Sequence, residues 1–313
     1  MQFIDEATAT RLIDHEVAFG AIRAALIAAC HEHARIFPVL AAHGSNQQNT
    51  FMIKSAAGSD IAGLKVGSYW PGNTAKGLAC HNSLILLFDQ NQGKIDTIIE
   101  SGVVNAYRTA AADAVAASVL AREDAKILAI FGTGHQAHYE CLALARVRPI
   151  EQVLVVARTP KSGEAMIRTL AEHGLSARLS DAQTACGMAD IVVTATTSTA
   201  PLFDAAWIQP GTHIASMGSD AFGKQELPPS LFARAHLFCD LVEQSRRIGE
   251  FQHADAALPI TAIGEVLQQR AQGRRATDDI TIFDSSGIAL QDLHVGRAVL
   301  EKYKVYSDQR ARM

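Results

Sequence analysis

The run Ile130-Phe-Gly132-Thr-Gly134-His135-Gln136-Ala137 spaces its small residues as G-x-G-x-x-A, after an apolar stretch and before a helical one. Each small residue has a use in binding a dinucleotide. Gly132 permits the tight turn, Gly134 lets a pyrophosphate approach the backbone, and Ala137 allows close packing of helix on strand. Free N–H groups at the helix start, those of His135 and Gln136 among them, would face the phosphates. The bland alternative is a tight strand-to-helix turn without ligand, which the strand and helix on either side disfavour. The next strand ends Val155-Val-Ala157-Arg158-Thr159-Pro160, with no acid at its tip to bond ribose hydroxyls. Arg158 and the Thr159 hydroxyl suit a 2′-phosphate instead, so NADP(H) is favoured and NAD(H) stays open. A surface arginine beside the next helix is the competing reading.

Three further residues could do chemistry. Lys65 lies inside the apolar strand Ile61-Ala-Gly-Leu-Lys-Val-Gly67. A buried ammonium without a partner is costly, so its amine must reach either an anion or, snorkelling from a strand edge, solvent. Arg108 opens the nearly uncharged helix Val104-Asn-Ala-Tyr-Arg-Thr-Ala-Ala-Ala112. A carboxylate there would meet both the guanidinium and the helix N-terminus; an interdomain salt bridge is the other reading. Asp220, in Ser216-Met-Gly-Ser-Asp-Ala-Phe-Gly223, follows a strand at the sheet edge where ligands of open α/β folds bind, or else merely forms a turn. The pairs His31/His33 and His135/His138 fall short of a zinc ligand set, so no metal is expected. No G-x-S-x-G elbow and no convincing cysteine nucleophile is present.

These residues need a scaffold, and 313 residues suggest two domains. Helical spacing covers residues 8–34, with Val17, Ala21, Leu26 and Ile27 among its apolar positions. Strand-like runs follow at Thr50–Ser55, Ile61–Tyr69, Ser83–Asp89 and Lys94–Glu100, the last two reading as a hairpin. An alanine-rich helix then runs to Ala121, and the charged Arg122-Glu-Asp-Ala125 marks the expected boundary. Beyond it strands alternate with helices, which implies a Rossmann-type doubly wound parallel sheet, here of six strands. The strand Thr281–Phe283 leads to a final helix, Ile288–Lys304, expected to return to the first domain. The fold class is therefore α/β, with residues 1–122 plus 288–313 as an α+β domain and 123–287 as the dinucleotide domain. The net charge of −4 gives no footprint for nucleic acid. Five scattered cysteines without C-x-x-C, no basic and apolar leader, and no apolar run of ~18 residues point to a cytoplasmic protein outside the membrane.

Taken together, the motifs resemble the ornithine cyclodeaminase/mu-crystallin family from about residue 5 to 304. The specific pieces are Gly63-Leu-Lys-Val66, Tyr69-Trp-Pro-Gly-Asn73, Tyr107-Arg-Thr-Ala-Ala111 and Gly132–Ala137. Asp190-Ile-Val-Val-Thr-Ala-Thr-Thr197, Gly223-Lys-Gln-Glu-Leu227 and Thr281-Ile-Phe-Asp-Ser-Ser-Gly-Ile-Ala289 follow in the family's order. The resemblance implies a homodimer whose first domain, with the last helix, binds a small amino or imino acid and forms the dimer interface. It implies that Lys65 and Arg108 hold the substrate carboxylate, that Lys65 lies near the reacting nitrogen, and that Asp220 acts beside the amine. Thr109, Thr196, Met217 and Ser285 fall at positions that line the nicotinamide. The chain departs from the family at Phe37–His43, which lacks a frequent arginine, at Met52-Ile53 in place of Met-Pro, and at Cys80-His81.

Hydride transfer at an α-carbon follows as the expected chemistry, with an NADPH-dependent imine reductase favoured. In that scheme Asp220 is a proton donor or relay, its pKa raised by burial. An ornithine cyclodeaminase, an alanine dehydrogenase-like enzyme and a nucleotide-dependent binding protein are the alternatives.

Overall fold

A computed structural model describes residues 1–311, and it separates into two compact units. The first comprises residues 1–108 and the chain from 288 onward; the second comprises 109–287.

The first unit opens with β1 (Gln2–Ile4), α1 (Glu6–Leu12) and α2 (His15–Ala28). The single helix expected over 8–34 is thus two. Ile13 is extended, and the Asp14 carboxylate caps α2 by accepting from the Val17 amide at 2.8 Å. The buried face of α2 is Ala18, Ile22, Ala25 and Leu26, so Val17, Ala21 and Ile27 flank it. The strands β2 (Arg35–Ile36), β3 (Leu40–His43), β4 (Thr50–Ala57), β5 (Ala62–Tyr69), β6 (His81–Asp89) and β7 (Lys94–Glu100) follow. They form a seven-stranded sheet ordered β1-β7-β6-β5-β4-β2, with β3 also on β4. All pairs but β1–β7 are antiparallel. The expected β6–β7 hairpin closes on Gly93 (φ 65°), where the Gly93 amide donates to Asp89 O.

The helix α3 (Gly102–Leu120) crosses from the first unit into the second. The expected break at Arg122–Ala125 therefore lies inside the second unit. Arg148 explains why: its Nη2 donates to the carbonyls of Ala117, Ser118 and Ala121 at 2.8, 3.0 and 2.9 Å, fastening the end of α3 to this unit.

The second unit continues as β8 (Ile127–Phe131), α4 (His135–Val147), β9 (Gln152–Val156), α5 (Pro160–Glu172), β10 (Ala177–Leu179), α6 (Ala182–Met188) and β11 (Ile191–Thr194). Then come β12 (His213–Ser216), β13 (His236–Cys239), α7 (Val242–Ile248), β14 (Ile260–Ala262), α8 (Ile263–Leu267) and β15 (Thr281–Asp284). The sheet is fully parallel and doubly wound, but has eight strands where six are expected, in the order β10-β9-β8-β11-β12-β15-β13-β14. β15 is not an addition to a finished sheet. Its four residues are buried and pair with β12 on one side and β13 on the other. The order reverses between β8 and β11, which makes the carboxyl ends of those two strands the crevice for a ligand.

Finally α9 (Ala289–Ala311) returns to the first unit, where it lies on β4, β5 and β6 and beside α2. Two glycines allow that approach. A Cβ on Gly63 would meet Leu86 O at 2.1 Å and Leu293 Cδ2 at 2.9 Å, and one on Gly296 would meet Ile85 Cγ2 at 2.9 Å. No helix among the described residues is long and apolar enough to cross a membrane.

Candidate active site

The first unit buries charge on the face of its sheet that carries α9. Antiparallel pairing puts Lys54 of β4 directly opposite Lys65 of β5, and the residues are only 4% and 6% exposed. From α3, Arg108 (7% exposed) reaches the same spot, and α9 supplies Gln291 and Asp292. Lys65 Nζ and Arg108 Nε each lie 3.1 Å from Asp292 Oδ1. Asn105 Oδ1 accepts from Lys65 Nζ and from Arg108 Nε and Nη2, the last two at 3.1 and 2.8 Å. Arg108 Nη1 donates to Gln291 Oε1 at 3.4 Å.

Electrostatics follow from this crowding. Burial pulls the Lys65 ammonium down to about 7; Asp292 opposes the change, while Arg108 and Lys54 reinforce it. Burial would raise the Asp292 carboxyl, but Arg108, Lys65 and Lys54 outweigh it and hold the group below the usual range. Asp292 Oδ2 and Gln291 Nε2 are buried with no hydrogen-bond partner among the described residues. One acceptor and one donor thus stand ready beside two cations. Such a set fits a ligand that offers a carboxylate and an N–H group.

The second unit builds a different site at its sheet reversal. Gly132 follows β8 with φ 116°, a backbone that L-residues rarely adopt, and a Cβ there would lie 2.6 Å from Ala195 O. Gly134 caps α4 without any side-chain hydrogen bond, and a Cβ on it would meet nothing within 4 Å. Open space therefore stands before the N-terminus of a 13-residue helix, whose first amides await an anion. Ala137 is fully buried, as close helix–strand packing requires. This cradle fits the pyrophosphate of a dinucleotide.

The carboxyl ends of β11 and β12 are tied by a buried acid. Glu226 accepts from Thr194 Oγ1 (2.8 Å), from Thr196 N and Oγ1 (both 2.7 Å) and from Gly218 N (2.9 Å). Glu250 in turn receives the amides of Glu226 and Leu227, the latter at 2.8 Å. Burial raises both carboxyls, Glu250 to about 7. Beside β15, Asp240 accepts from Ser285 Oγ (3.3 Å) and Gly287 N (2.7 Å), while Asp284 accepts from Ser245 Oγ. Burial and the neighbouring Asp240 hold the Asp284 carboxyl well above its ordinary value.

The sequence profile of the ornithine cyclodeaminase/mu-crystallin family matches residues 7–306. The chain belongs to that family. The iminosuccinate reductase of Paracoccus denitrificans (strain Pd 1222) is 37% identical over 311 residues, 97% of each chain. The crystal structure of the iminosuccinate reductase of Paracoccus denitrificans, in complex with NAD+, superposes with a TM-score of 0.92 at 36% identity, covering 98% of this chain and 97% of that one. An archaeal alanine dehydrogenase dimer with bound NAD gives 0.90 at 28% identity, covering 98% and 97%. The Thermococcus litoralis Δ1-pyrroline-2-carboxylate reductase with NADH and L-proline gives 0.91 at 26%, covering 98% of both chains. As in these family members, the chain carries a nicotinamide-nucleotide fold, and it is an oxidoreductase or cyclodeaminase.

Against this family background the expected site residues sort by unit. Lys65 and Arg108 meet on one carboxylate in the first; Thr109, adjoining Arg108 on α3, opens the second. The side chains of Gln136 and Thr159 are already engaged: Gln136 Nε2 donates to Glu140 at 2.8 Å, and Thr159 Oγ1 caps α5 by accepting from the Ser162 amide at 3.3 Å. Arg158 stands exposed just past β9. The His135 ring lies 5.1 Å from that of Tyr139, tilted by 49°, and burial lowers its pKa. Met217 is buried, while Thr196 and Ser285 hand their hydroxyls to Glu226 and Asp240. Asp220 departs from expectation. It is less buried than expected: its side chain is 39% exposed and pairs with Lys224 at 2.6 Å. Residues to which sequence reasoning gives no role are Lys54, Gln291, Asp292, Glu250 and Glu226, the last quoted only within the motif Gly223–Leu227. No group of three metal-ligating side chains occurs among the described residues.

Proposed function

We propose that the chain is a nicotinamide-dependent reductase of small 2-imino acids, with Lys65 as proton donor. The observation that carries this reading is the buried cluster of Lys65, Arg108 and Asp292, in which a lysine with a pKa of about 7 stands beside an arginine. A proton donor works best when its pKa is close to the operating pH.

The reduced nicotinamide, when bound, supplies a hydride. Everything else falls to the protein. Arg108, with Gln291 Nε2 beside it, grips the substrate carboxylate. Lys65 Nζ then hands its proton to the imine nitrogen as the C=N π bond breaks and the α-carbon gains hydrogen. Asp292 Oδ2 accepts the N–H of the emerging amine. The family resemblance gives Asp220, which pairs with Lys224 at 2.6 Å, its role beside the amine. Glu226 and Glu250 position the loops that follow β11 and β12, and with them Thr196 and Met217, toward the nicotinamide. Gly132, Gly134, Ala137 and the His135 and Gln136 amides hold the pyrophosphate; Thr109 and Ser285 complete the nicotinamide side.

For the nucleotide we propose NADP(H) over NAD(H). Support comes from Arg158, exposed after β9 where an acid would otherwise read the ribose hydroxyls, and from the following Lys161. Support for a cytoplasmic homodimer is the archaeal relative's dimer and the five free cysteines.

The test is the near-ultraviolet absorbance of NADPH and NADH mixed with enzyme and imino acids. The expected result is net oxidation of NADPH ahead of NADH. A cyclodeaminase regenerates its nucleotide, so proline and ammonia formed from ornithine without net oxidation would overturn the reductase reading.

A further inference from the structure

We infer that Glu250 is a positioning residue that works as the neutral acid: through Ser216 it holds Glu226 as the anion that fastens the loops after β11 and β12. The inference rests on a nicotinamide lying beside Thr196 and Met217 on those loops. It adds that the nucleotide site is complete only while one proton is in place.

Ser216, the last residue of β12, is fully buried between two fully buried carboxyls. Its Oγ lies 3.4 Å from Glu226 Oε2 and 3.3 Å from Glu250 Oε2. A hydroxyl has one proton to give, so it donates to one of these oxygens and must accept from the other. One of the two carboxyls therefore carries a proton, and the remaining contacts assign it. Glu226 receives four donors at 2.7–2.9 Å, two on each oxygen, so a proton there would face other protons. Glu250 Oε1 takes the Leu227 amide at 2.8 Å, and the Glu226 amide sits between its two oxygens at 3.1 and 3.0 Å. The proton belongs on Glu250 Oε2, which donates to Ser216 Oγ, while Ser216 donates to Glu226.

The surroundings keep it there. Asp284 of β15 is a third buried carboxyl: a Cβ on Gly249, the residue before Glu250, would lie 2.2 Å from Asp284 Oδ2. Asp240, after β13, crowds Asp284 in turn. The cations of the neighbouring segments are turned elsewhere. Lys224 reaches Asp220 and Gly218 O at 2.6 and 3.1 Å, and His253 Nε2 lies 2.8 Å from Lys224 O. On α7, Arg246 donates to the carbonyls of Asp255, Ala256 and Leu258, and Arg247 and Glu243 are exposed. Among the described residues no ion pair reaches Glu226, Glu250 or Asp284. Burial, and then the charge of Glu226, push the Glu250 carboxyl up to about 7 against the pull of the amides it accepts. Once Glu250 ionises, two anions face one hydroxyl, and the hold of Glu226 on Thr196 and Gly218 loosens. Proton and nucleotide should then strengthen each other's binding by the same factor.

The test is the Kd of NADH, by fluorescence titration, at pH 6, 7, 8 and 9. NADH lacks the 2′-phosphate, whose own titration near pH ~6 would intrude. Wild type should bind roughly 10-fold more weakly at pH 9 than at pH 6. Glu250→Gln, whose amide N–H replaces the acid proton, should keep the pH 6 affinity throughout, and Glu250→Ala should bind weakly at every pH. Lys65→Met should show the same fall as wild type, which separates the effect from the Lys65 proton. A flat wild-type affinity, or an equal fall in Glu250→Gln, would overturn the inference. The ligand-free protein gives a second readout. A carboxyl whose pKa rises from 4.5 to about 7 on folding withdraws stability as pH climbs through that window. The melting temperature of Glu250→Gln should therefore gain on wild type between pH 5 and 8, and a constant difference would also overturn the inference. NADH binding at no pH would end the nicotinamide placement and the positioning role with it, while the gain in melting temperature would still identify Glu250 as the acid.

Discussion

Replacing Lys65 by Met removes a proton donor and, on the same physical grounds, should make the protein more stable. Lys65 is 6% exposed, and burial drags its pKa from 10.5 to about 7. That drop corresponds to roughly 5 kcal/mol of destabilisation of the protonated form, at about 1.4 kcal/mol per tenfold change in the proton equilibrium. Methionine has a similar length and no charge to desolvate. It also forfeits the hydrogen bonds to Asn105 and Asp292. Neither partner is abandoned, because Arg108 still donates to Asn105 at 2.8 and 3.1 Å and lies 3.1 Å from Asp292. The net gain should then be about 2 kcal/mol, within the range seen when buried charges give way to apolar isosteres. In melting temperature this amounts to about 3 °C for a chain of 313 residues.

The sign of the pH dependence is fixed. Below pH 7 both folded and unfolded chains hold the Lys65 proton, and the burial penalty is felt in full. Between about 7 and 10.5 the unfolded chain binds the proton more than the folded one, so this group's contribution to stability rises with pH. The advantage of Lys65→Met should therefore be largest at pH 6 and fade by pH 10. Scanning fluorimetry of both proteins at pH 6, 8 and 10 measures it. In parallel, wild-type kcat/KM should fall tenfold per pH unit above about 7, and the variant should lose about 10³-fold or more in turnover. A variant that melts lower than wild type at pH 6, or a wild-type profile flat to pH 9, would refute the reasoning.

Three other substitutions probe the remaining assignments. Gly132→Ala forces a Cβ to within 2.6 Å of Ala195 O at φ 116°, so nucleotide affinity by fluorescence titration should drop at least ~100-fold, and wild-type affinity would remove the turn from the site. Arg158→Ala should weaken NADPH about 10- to 100-fold while leaving NADH unchanged; equal effects on both would end the case for NADP(H). Asp220→Asn should lower kcat on the order of 10²-fold without moving nucleotide affinity or the alkaline limb set by Lys65. If that limb vanished with Asp220, the proton donor would be Asp220 instead.

Much of the fold is legible in the sequence because period and punctuation are clear. The β6–β7 hairpin, the strands β8, β9, β11, β12 and β13 and the glycine turn all sit where alternation, apolar runs and glycines put them. The errors have specific causes. Residues 8–34 read as one helix because apolar spacing continues across Ile13, whereas the Asp14 cap that divides them is a local polar contact. β14 is only Ile260–Ala262, too short for a periodic signal. β15 reads as a strand, but its insertion between β12 and β13 depends on a long crossover that no local pattern records. A charged break looks like a domain boundary, yet Arg148 ties the residues before that break to the dinucleotide unit.

The site itself divides along a similar line. Gly132 and Gly134 are readable because backbone geometry must be encoded in residue type where it is needed. Lys65 and Arg108 stay ambiguous in sequence because what gives a buried cation its meaning is its partner, and Asp292 lies 227 residues from Lys65 in the chain. Lys54 escapes notice for the same reason: in Thr50–Ala57 it is one lysine in a strand, and only the register that sets it opposite Lys65 makes it part of a charge cluster. Glu226 and Glu250 look like surface acids in sequence and become the buried fastening of two loops only when the sheet is assembled. Asp284 alone carries a local warning, as an acid in the run Thr281–Ala289 that is otherwise apolar or small. The charge clusters of both units are thus properties of pairing across the chain. Those pairings set the Lys65 proton affinity.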